Sequence, residues 1–552
     1  MKKEMSWYDE YPRPQLKRDS FMSLNGQWTC NGNDIVVPFC PQSKASLYQG
    51  EVTNELIYEK SFVLTDHFFQ ENDHLLLHFG AVDQICEVYL NKYYIGQHEG
   101  GYLPFTFDVT PYLRNENKLT VIVKDDLNSL YPYGKQTKQP KGMWYTAVSG
   151  IWQSVWLEAV PENYIQDVKI TPHDQSIDLF VETKKKYTVT IVMGDETFQQ
   201  SYDRPYQTID LSSYDIHYWS IDDPFLYTIF IETDNDKVES YFAMRVITIE
   251  TIQEKKRICL NHQPIFLHGV LDQGYFPEGH FIPQSPKGYE DDILKMKELG
   301  FNMLRKHIKV EPDIFYYYCD LHGMLVVQDM VNSGDYHYFS DTLLPTAGFK
   351  KKKDKVSQYD QRQQFFVQHS IETMKHLYNH PSIIMYSIFN EGWGQFDSDR
   401  LYQLLKDKDP GRLFDSTSGW FEQQQSDVNS VHMYFRNKQL RPQSSKPLFL
   451  SECGGYVRII EGHCDSEHTY GYGKAGNEEQ LMKKMNHLYE TSVIPCIQEG
   501  MCGCVYTQLS DIEEELNGLY TFDREICKVN KEGMKQIRAK IDQEMENISS
   551  TL

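Results

Sequence analysis

Residues 382–391 read SIIMYSIFNE and residues 447–452 read PLFLSE, each an unbroken apolar run that ends on a glutamate. A strand with one wet face alternates apolar and polar residues, because successive side chains point to opposite sides. A run that is apolar throughout has both faces covered, as in a parallel sheet under helices. The pattern repeats outward from these two stretches. PIFLHGV (264–270) precedes the helical GYEDDILKMKELG (288–300), FNMLRKH (301–307) precedes PDIFYYYCDLHG (312–323), and MLVVQDM (324–330) precedes QFFVQHSIETMKHLYNH (364–380). RLFDSTS (412–418), SVHMYF (430–435) and MCGCVYTQL (501–509) bring the strands to eight. Eight such strands with intervening helices fit a (β/α)8 barrel, for which ~250 residues is typical. RLFDSTS, SVHMYF and PLFLSE are too closely spaced for helices between them. The pattern alone therefore also fits a parallel α/β domain that does not close.

Before residue 253 the period is two. LIYEKSFVL (56–64), HLLLHF (74–79), CEVYLNKYYIG (86–96), LTVIVKD (119–125) and QSVWLEAV (153–160) read as half-buried strands of an antiparallel sandwich spanning residues 1–161. DVKITPH (167–173), IDLFVET (177–183), YTVTIVM (187–193), LYTIFIET (226–233) and SYFAMRVITIE (240–250) repeat the theme over residues 162–252. That span suits an immunoglobulin-like sandwich of about seven strands. DRPYQTIDLSSYDIHYWSIDDP (203–224) reads as a polar loop. Residues 253–552 form the α/β domain, so the chain is expected to be multidomain, β followed by α/β.

The net charge is −23, which argues against nucleic acid and anionic membranes as partners, since both require basic surfaces. The basic run Lys350 to Lys353 reads as a solvated loop. No window approaches 18 uninterrupted apolar residues, so no membrane span is expected. The opening MKKEMSWYDEYPRPQL has no apolar core, and eleven cysteines show no regular spacing. Reduced thiols in a cytoplasmic protein are therefore expected. His463, Cys464 and His468 lack a paired-ligand spacing, so no metal is expected there. Whether the chain forms a homo-oligomer stays open.

Active residues of a barrel stand at the C-terminal ends of its strands. Those ends supply Asp272, Arg305, His307, Asp329, Asn390, Glu391, Asp415, His432, Tyr434, Glu452 and Gln508. Two carboxyl groups facing one site are what glycoside hydrolysis needs: one gives a proton to the leaving oxygen, the other attacks the anomeric carbon. Taken singly, Glu391 and Glu452 are equally well strand-end caps or ion-pair partners of Arg305. Taken together, among histidines and aromatics, they form a catalytic constellation.

At SIFNEGWGQFD (387–397) and FLSECGGY (449–456) the chain resembles glycoside hydrolase family 2, which holds β-galactosidases, β-glucuronidases and β-mannosidases. SLNGQW (23–28), HFGAVDQICEVYLNKYYIGQHEGGYLPFTFDVTPYL (78–113) and VSGIWQSVWLE (148–158) resemble its N-terminal jelly-roll sugar-binding domain, and NMLRKH (302–307) its second barrel strand. The resemblance covers nearly the whole chain. It implies a jelly-roll β-sandwich, an immunoglobulin-like β-sandwich and a C-terminal TIM barrel, with a carbohydrate substrate and no organic cofactor. Glu391 is then the acid/base and Glu452 the nucleophile of a retaining exo-β-glycosidase. Asn390 would bind the sugar 2-hydroxyl, Arg305 would keep Glu452 ionised, and Tyr434 would touch its carboxylate. His307 and His432 would line the terminal-sugar subsite, and Asp272 would bind a hydroxyl. Trp393 and Trp420 would stack on a sugar face, with core packing the close alternative for Trp420. Trp28, Trp144, Trp152 and Trp156 read as sandwich core, although the loop GKQTKQPKGMWYT (134–146) is long enough to reach the barrel mouth.

The departures concern the sugar. EEELNGLYTFDR (513–524) has Asn517 without the Lys of the glucuronidase Asn-x-Lys pair, and its acidic run would repel a uronate if it faced the site. VVQDMVNSGDYH (326–337) offers Asp329 but no counterpart of the Glu and His that hold Mg²⁺ in large β-galactosidases. Gln508 stands where many relatives place a Trp. A β-galactoside is the first substrate to test. A non-catalytic carbohydrate-binding protein and a transglycosidase are the rival readings. The loops at 331–363 and 453–476, with the N-terminal domain, are expected to wall an exo-acting pocket.

Overall fold

The computed structural model describes residues 6–550 apart from 66, 67, 70–72, 347, 350–352, 443 and 444. The basic run at 350–353 thus lies outside the described residues, save for Lys353.

Eight parallel strands follow residue 266: β1 (Leu267–Asp272), β2 (Met303–Lys306), β3 (Leu325–Asp329), β4 (Ile383–Asn390), β5 (Leu413–Ser418), β6 (Asn429–Met433), β7 (Leu448–Gly454) and β8 (Met501–Thr507). Their order in the sheet is β5-β4-β3-β2-β1-β8-β7-β6, with β1 paired to β8, so the sheet curls into a near-closed barrel. Every residue of β4 and of β7 is buried, as their unbroken apolar sequences require. Helices α1 (Lys287–Glu298), α2 (Asp313–His322), α3 (Gln361–His376), α4 (Ser398–Lys408), α5 (Glu478–Leu488) and α6 (Lys531–Ser549) pack outside. α3 starts after a long loop and carries a full capping box. Asp360 accepts from the Gln363 N–H, and the Gln363 side chain accepts from the Asp360 N–H.

The two short crossovers, β5 to β6 and β6 to β7, contain no helix. β5 and β6 share no strand ladder. The seam is instead closed by the Asp427 N–H on the Phe414 carbonyl (2.9 Å) and by Ser430 Oγ on Asp415 Oδ2 (2.6 Å). Below the barrel, the hairpin Ile247–Ile252/Lys255–Leu260 sends Ile258 and Leu260 against Leu267, Val327 and Phe449. The barrel is therefore a packed core rather than a pore, open to chemistry only at its top. The 252/253 boundary falls at the turn of this hairpin.

The N-terminal jelly roll pairs a six-stranded antiparallel sheet, centred on Glu55–Phe62 and Asn117–Lys124, with a four-stranded one centred on Val155–Pro161 and Asp73–Phe79. The second sandwich has seven strands in sheets of three and four. Two of them depart from the sequence reading. Tyr206–Asp210 is a strand inside the stretch read as loop, and Glu196–Tyr202 is an exposed edge strand. The latter is polar on both faces (ETFQQSY), so it carries no alternation to detect. All eleven cysteines are unpaired, with Cys502 and Cys504 in the core. No described helix is long and apolar enough to cross a membrane.

The jelly roll reaches the barrel mouth. The N–H groups of Tyr133 and Gly134 donate to the Asn332 carbonyl (3.1 and 3.2 Å) in the loop after β3. The loop that follows is held by three consecutive acids. Glu513 accepts from the Thr146 N–H (2.8 Å), Glu514 from the Gly142 N–H (2.7 Å), and Glu515 from the Tyr145 hydroxyl.

Candidate active site

The mouth of the barrel holds a narrow cavity lined by strand ends and loops. Asn390, Glu391 and Trp393 face it from the end of β4, and Tyr434 and Glu452 from the ends of β6 and β7. Carboxylate oxygens of Glu391 and Glu452 and a ring nitrogen of His432 all lie within 4.8 Å of one another. Glu391 is the first residue past its strand and has φ +53, in the left-handed region that a non-glycine residue seldom adopts. Such backbone costs on the order of 1–3 kcal/mol and is characteristic of functional sites. Here the Glu391 N–H donates to the Ser418 carbonyl (3.0 Å), which ties the turn to β5.

Glu452 is held from two sides. Arg305 Nη1 donates to its Oε1 (2.9 Å), and the Tyr434 hydroxyl donates to its Oε2. Burial works to raise its pKa, but the charges of His432 and Arg305 outweigh burial and bring it to about 2. It is ionised at neutral pH. The same guanidinium donates to Asp329 Oδ1 (3.0 Å), the Ser451 carbonyl (3.0 Å) and Asn390 Oδ1 (3.0 Å). With its oxygen taken by Arg305, the Asn390 amide turns its NH₂ into a donor for the cavity.

Five residues of the expected set stand behind the wall rather than on it. Arg305 is one. His307 donates from Nδ1 to Asp329 Oδ2 (2.7 Å) and orients the partner of Arg305. His432 sets Nδ1 2.8 Å from Glu391 Oε1 and Nε2 3.1 Å from Ser418 Oγ. Trp420 packs edge-on against His432 and donates from Nε1 to the carbonyls of Asp341 (3.0 Å) and Glu391 (3.2 Å). It braces Glu391 instead of offering a face to sugar. Asp272 does not reach the cavity either: Lys306 Nζ (2.6 Å) and the Gly274 N–H (2.9 Å) occupy both its oxygens. Lys306 and Lys309 in turn share Glu311, so Asp272 belongs to a buried ion network.

Part of the wall comes from outside the barrel. Trp144, read as sandwich core but carried by the loop 134–146 that was long enough to reach the mouth, lines the cavity and meets Trp393 edge-to-face (4.9 Å between centroids). Tyr336 and Tyr472 come from the two long loops, and Lys135 and Glu515 complete the enclosure. Tyr472 stacks on Tyr434 at 3.8 Å. Gln508 turns its amide to Asn517 (2.9 Å) and Glu515 (3.4 Å). Near the rim, His463 Nδ1 lies 2.6 Å from Asp523, while Cys464 Sγ donates to the Ile460 carbonyl.

Gly419 shows how tightly the wall is set. Its φ is +93, and a Cβ there would lie 2.7 Å from Cγ and Nδ1 of His432, the nitrogen beside Glu391. Gly419→Ala is therefore expected to lower kcat about tenfold by pushing the imidazole aside, at a stability cost of about 1–3 kcal/mol. Steady-state kinetics beside a thermal melt would check this, and unchanged kcat would refute it.

Two family models match the chain: the TIM barrel domain of glycosyl hydrolases family 2 over residues 251–456, and the sugar binding domain of the same family over 16–161. The chain belongs to glycosyl hydrolase family 2. Among its relatives, a β-galactosidase of Leuconostoc mesenteroides is 25% identical over 416 residues, covering 69% of this chain and 37% of that protein. A β-galactosidase of Thermoanaerobacterium thermosulfurigenes is 25% identical over 464 residues, covering 75% and 58%. A β-glucuronidase of Bacteroides fragilis is 24% identical over 406 residues, covering 65% and 54%. The chain thus spans less than two thirds of the curated relatives it matches. Among solved structures, a β-D-glucuronidase of Dictyoglomus thermophilum superposes with TM-score 0.73 at 17% identity, over 97% of this chain and 98% of that one. A family 2 β-galacturonidase of Eisenbergiella tayi gives 0.69 at 19%, over 95% and 97%. Likeness at this identity shows a shared fold, and the names of these relatives and structures span more than one sugar.

Proposed function

We propose that the chain is a retaining exo-β-glycosidase that removes a non-reducing terminal sugar by double displacement. The observation that carries this is the approach of the Glu391 and Glu452 carboxyl groups to within 4.8 Å across an enclosed cavity. Retaining enzymes hold their carboxyls about 5–5.5 Å apart, whereas inverting enzymes leave ~6.5–9.5 Å for a water.

In the first step a Glu452 oxygen bonds to the anomeric carbon as the glycosidic C–O bond breaks, and Glu391 gives its proton to the departing oxygen. The transition state is oxocarbenium-like, and the Asn390 NH₂ is placed to donate to the sugar 2-hydroxyl. In the second step water attacks the same carbon, Glu391 takes the water proton, and the bond to Glu452 breaks. Trp144 from the jelly-roll loop, with Tyr336 and Tyr472 from the two long barrel loops, wall the space in front of the two glutamates, which supports exo action.

Of the rivals, the binding protein gives no reason for the two carboxyls to converge or for the strained backbone at Glu391. The transglycosidase shares the first step and differs only in the acceptor. The test is a panel of 4-nitrophenyl β-galactoside, β-glucuronide, β-glucoside, β-mannoside and α-L-arabinopyranoside, with proton NMR of the first sugar released. Turnover of at least one, with the same anomer released first as was bound, is expected, and the β-galactoside is tried first. Release of the opposite anomer would overturn the retaining mechanism, and silence on every substrate would favour the binding protein. A transglycosidase would instead pass the sugar to an added acceptor in preference to water.

A further inference from the structure

Among the described residues that line the proposed sugar site, Lys135 is the one cation, and it comes from another domain. Lys135 follows Gly134 in the jelly-roll loop and lines the cavity together with Glu452 and Glu515. The backbone there is closely constrained. Gly134 has φ +68, and a Cβ at that position would lie 2.8 Å from Tyr102 Oη and 2.9 Å from the Ile308 carbonyl. The Lys135 carbonyl accepts from the Tyr145 N–H (3.0 Å), one residue from the Trp144 that also walls the cavity. Among the described residues nothing makes a hydrogen bond or ion pair with the Lys135 ammonium. It lines the cavity wall beside Glu452 and Glu515, close enough for its charge to favour their ionised forms.

Glu515 is 2% exposed and comes from the loop after β8. The Tyr145 hydroxyl, Gln508 Nε2 (3.4 Å) and Asn517 Nδ2 (3.4 Å) all point at its carboxyl group. It is therefore a fixed acceptor, as Lys135 is an available donor. Of the three carboxyl groups on the cavity wall, Glu391 carries the proton that it will donate and Glu452 is paired with Arg305, which leaves Glu515 as the acid that shares the wall with this ammonium. A uronate bound between the pair would set its carboxylate beside Glu515, which Coulomb repulsion disfavours in a poorly solvated site. A neutral pyranose brings hydroxyls that donate and accept at once, matching an acceptor and a donor on one wall.

We propose that Lys135 and Glu515 are the specificity-determining pair of the site, binding hydroxyls of a neutral terminal sugar, so that the jelly-roll domain completes the catalytic pocket. This rests on the glycosidase reading above. Calorimetry on the full chain with a neutral isofagomine and with its uronic counterpart reads the pair without turnover. Wild type is expected to bind the neutral compound more tightly. K135M and E515Q should each weaken that binding roughly ten- to hundredfold, the range for a hydrogen bond to a charged group. K135R should recover most of the loss, which a merely structural role of the residue would not allow. On the aryl glycoside that wild type hydrolyses, K135M should raise KM more than it lowers kcat. Neutral binding within twofold of wild type in both variants, or tighter binding of the uronic compound by wild type, would overturn the proposal. Wild type that binds the neutral compound through the pair but hydrolyses nothing would overturn only the glycosidase reading. Wild type that binds neither compound overturns both.

Discussion

Glu452→Ala is expected to lower kcat/KM by roughly 10⁴-fold or more, the scale on which loss of a catalytic nucleophile is felt. Azide should restore turnover and form an α-glycosyl azide. The expectation follows from what the alanine leaves behind. Removing the carboxylate opens a space beside the anomeric carbon on the face that Glu452 would attack, while Glu391 still stands on the other side to protonate the leaving oxygen. A small anion entering that space attacks once and gives the inverted product. Glu391→Ala should respond differently. With a leaving group as acidic as 4-nitrophenol the first step needs little protonation, so the glycosyl-enzyme accumulates, and azide intercepts it to give the β-glycosyl azide. Opposite configurations from the two variants, read by NMR, would assign the roles. The same configuration from both, or no rescue of either, would refute the assignment of nucleophile and acid/base to these two residues.

The strand ends were legible because burial on both faces writes itself into composition. SIIMYSIFNE and PLFLSE have no polar phase, so each glutamate that ends them marks the top of a buried strand. The closed barrel was less so, because helix-free crossovers flank β6 and the seam between β5 and β6 is made by side chains and a single carbonyl. Periodicity is blind to such closure. The missed strand Glu196–Tyr202 is polar on both faces and held by its neighbour's backbone. In the site, the expected residues that line the cavity are those on strand ends, namely Asn390, Glu391, Tyr434 and Glu452, with Trp393 just beyond. Asp272 lies off the cavity, and a strand-end aspartate looks alike in sequence whether it meets a sugar or a buried lysine, since Lys306 comes beside it only once the strands are paired. Lys135 and Trp144 sit on the loop 134–146 that was long enough to reach the mouth, but neither was singled out as a wall residue, and Glu515 meets that loop across some 370 positions of chain. The acidic run Glu513 to Glu515 was the available signal. Read as a source of repulsion, it proved also to be the clamp on the loop that carries Lys135.

Arg305→Met is expected to cost about 3–5 kcal/mol of stability at neutral pH, because it strips the partner from buried carboxylates. Arg305 is 1% exposed and donates to Asp329, Glu452, Asn390 and the Ser451 carbonyl, so no water stands ready to replace it. The pH dependence has a definite sign. The folded pKa of Glu452, about 2, lies below its ordinary value of 4.5. Its contribution to stability is thus present above about pH 4.5 and lost as pH falls through 2. Without the guanidinium, burial is opposed by His432, His307 and Lys135 alone, and the folded pKa rises from about 2. The deficit of the variant then shrinks once the pH falls through that raised pKa, instead of growing. Thermal melts of wild type and variant at pH 7 and pH 3 would measure this, with the gap in Tm expected to be on the order of 10 °C at the higher pH and smaller at the lower. The acid limb of kcat/KM should move upward in parallel, since the attacking carboxylate must be ionised. Arg305→Lys keeps a charge but not the planar fork that engages four partners, and is expected to fall between the two. A stability gap that does not depend on pH would mean that Arg305 holds the site by packing and hydrogen bonds alone, with no part in keeping Glu452 ionised.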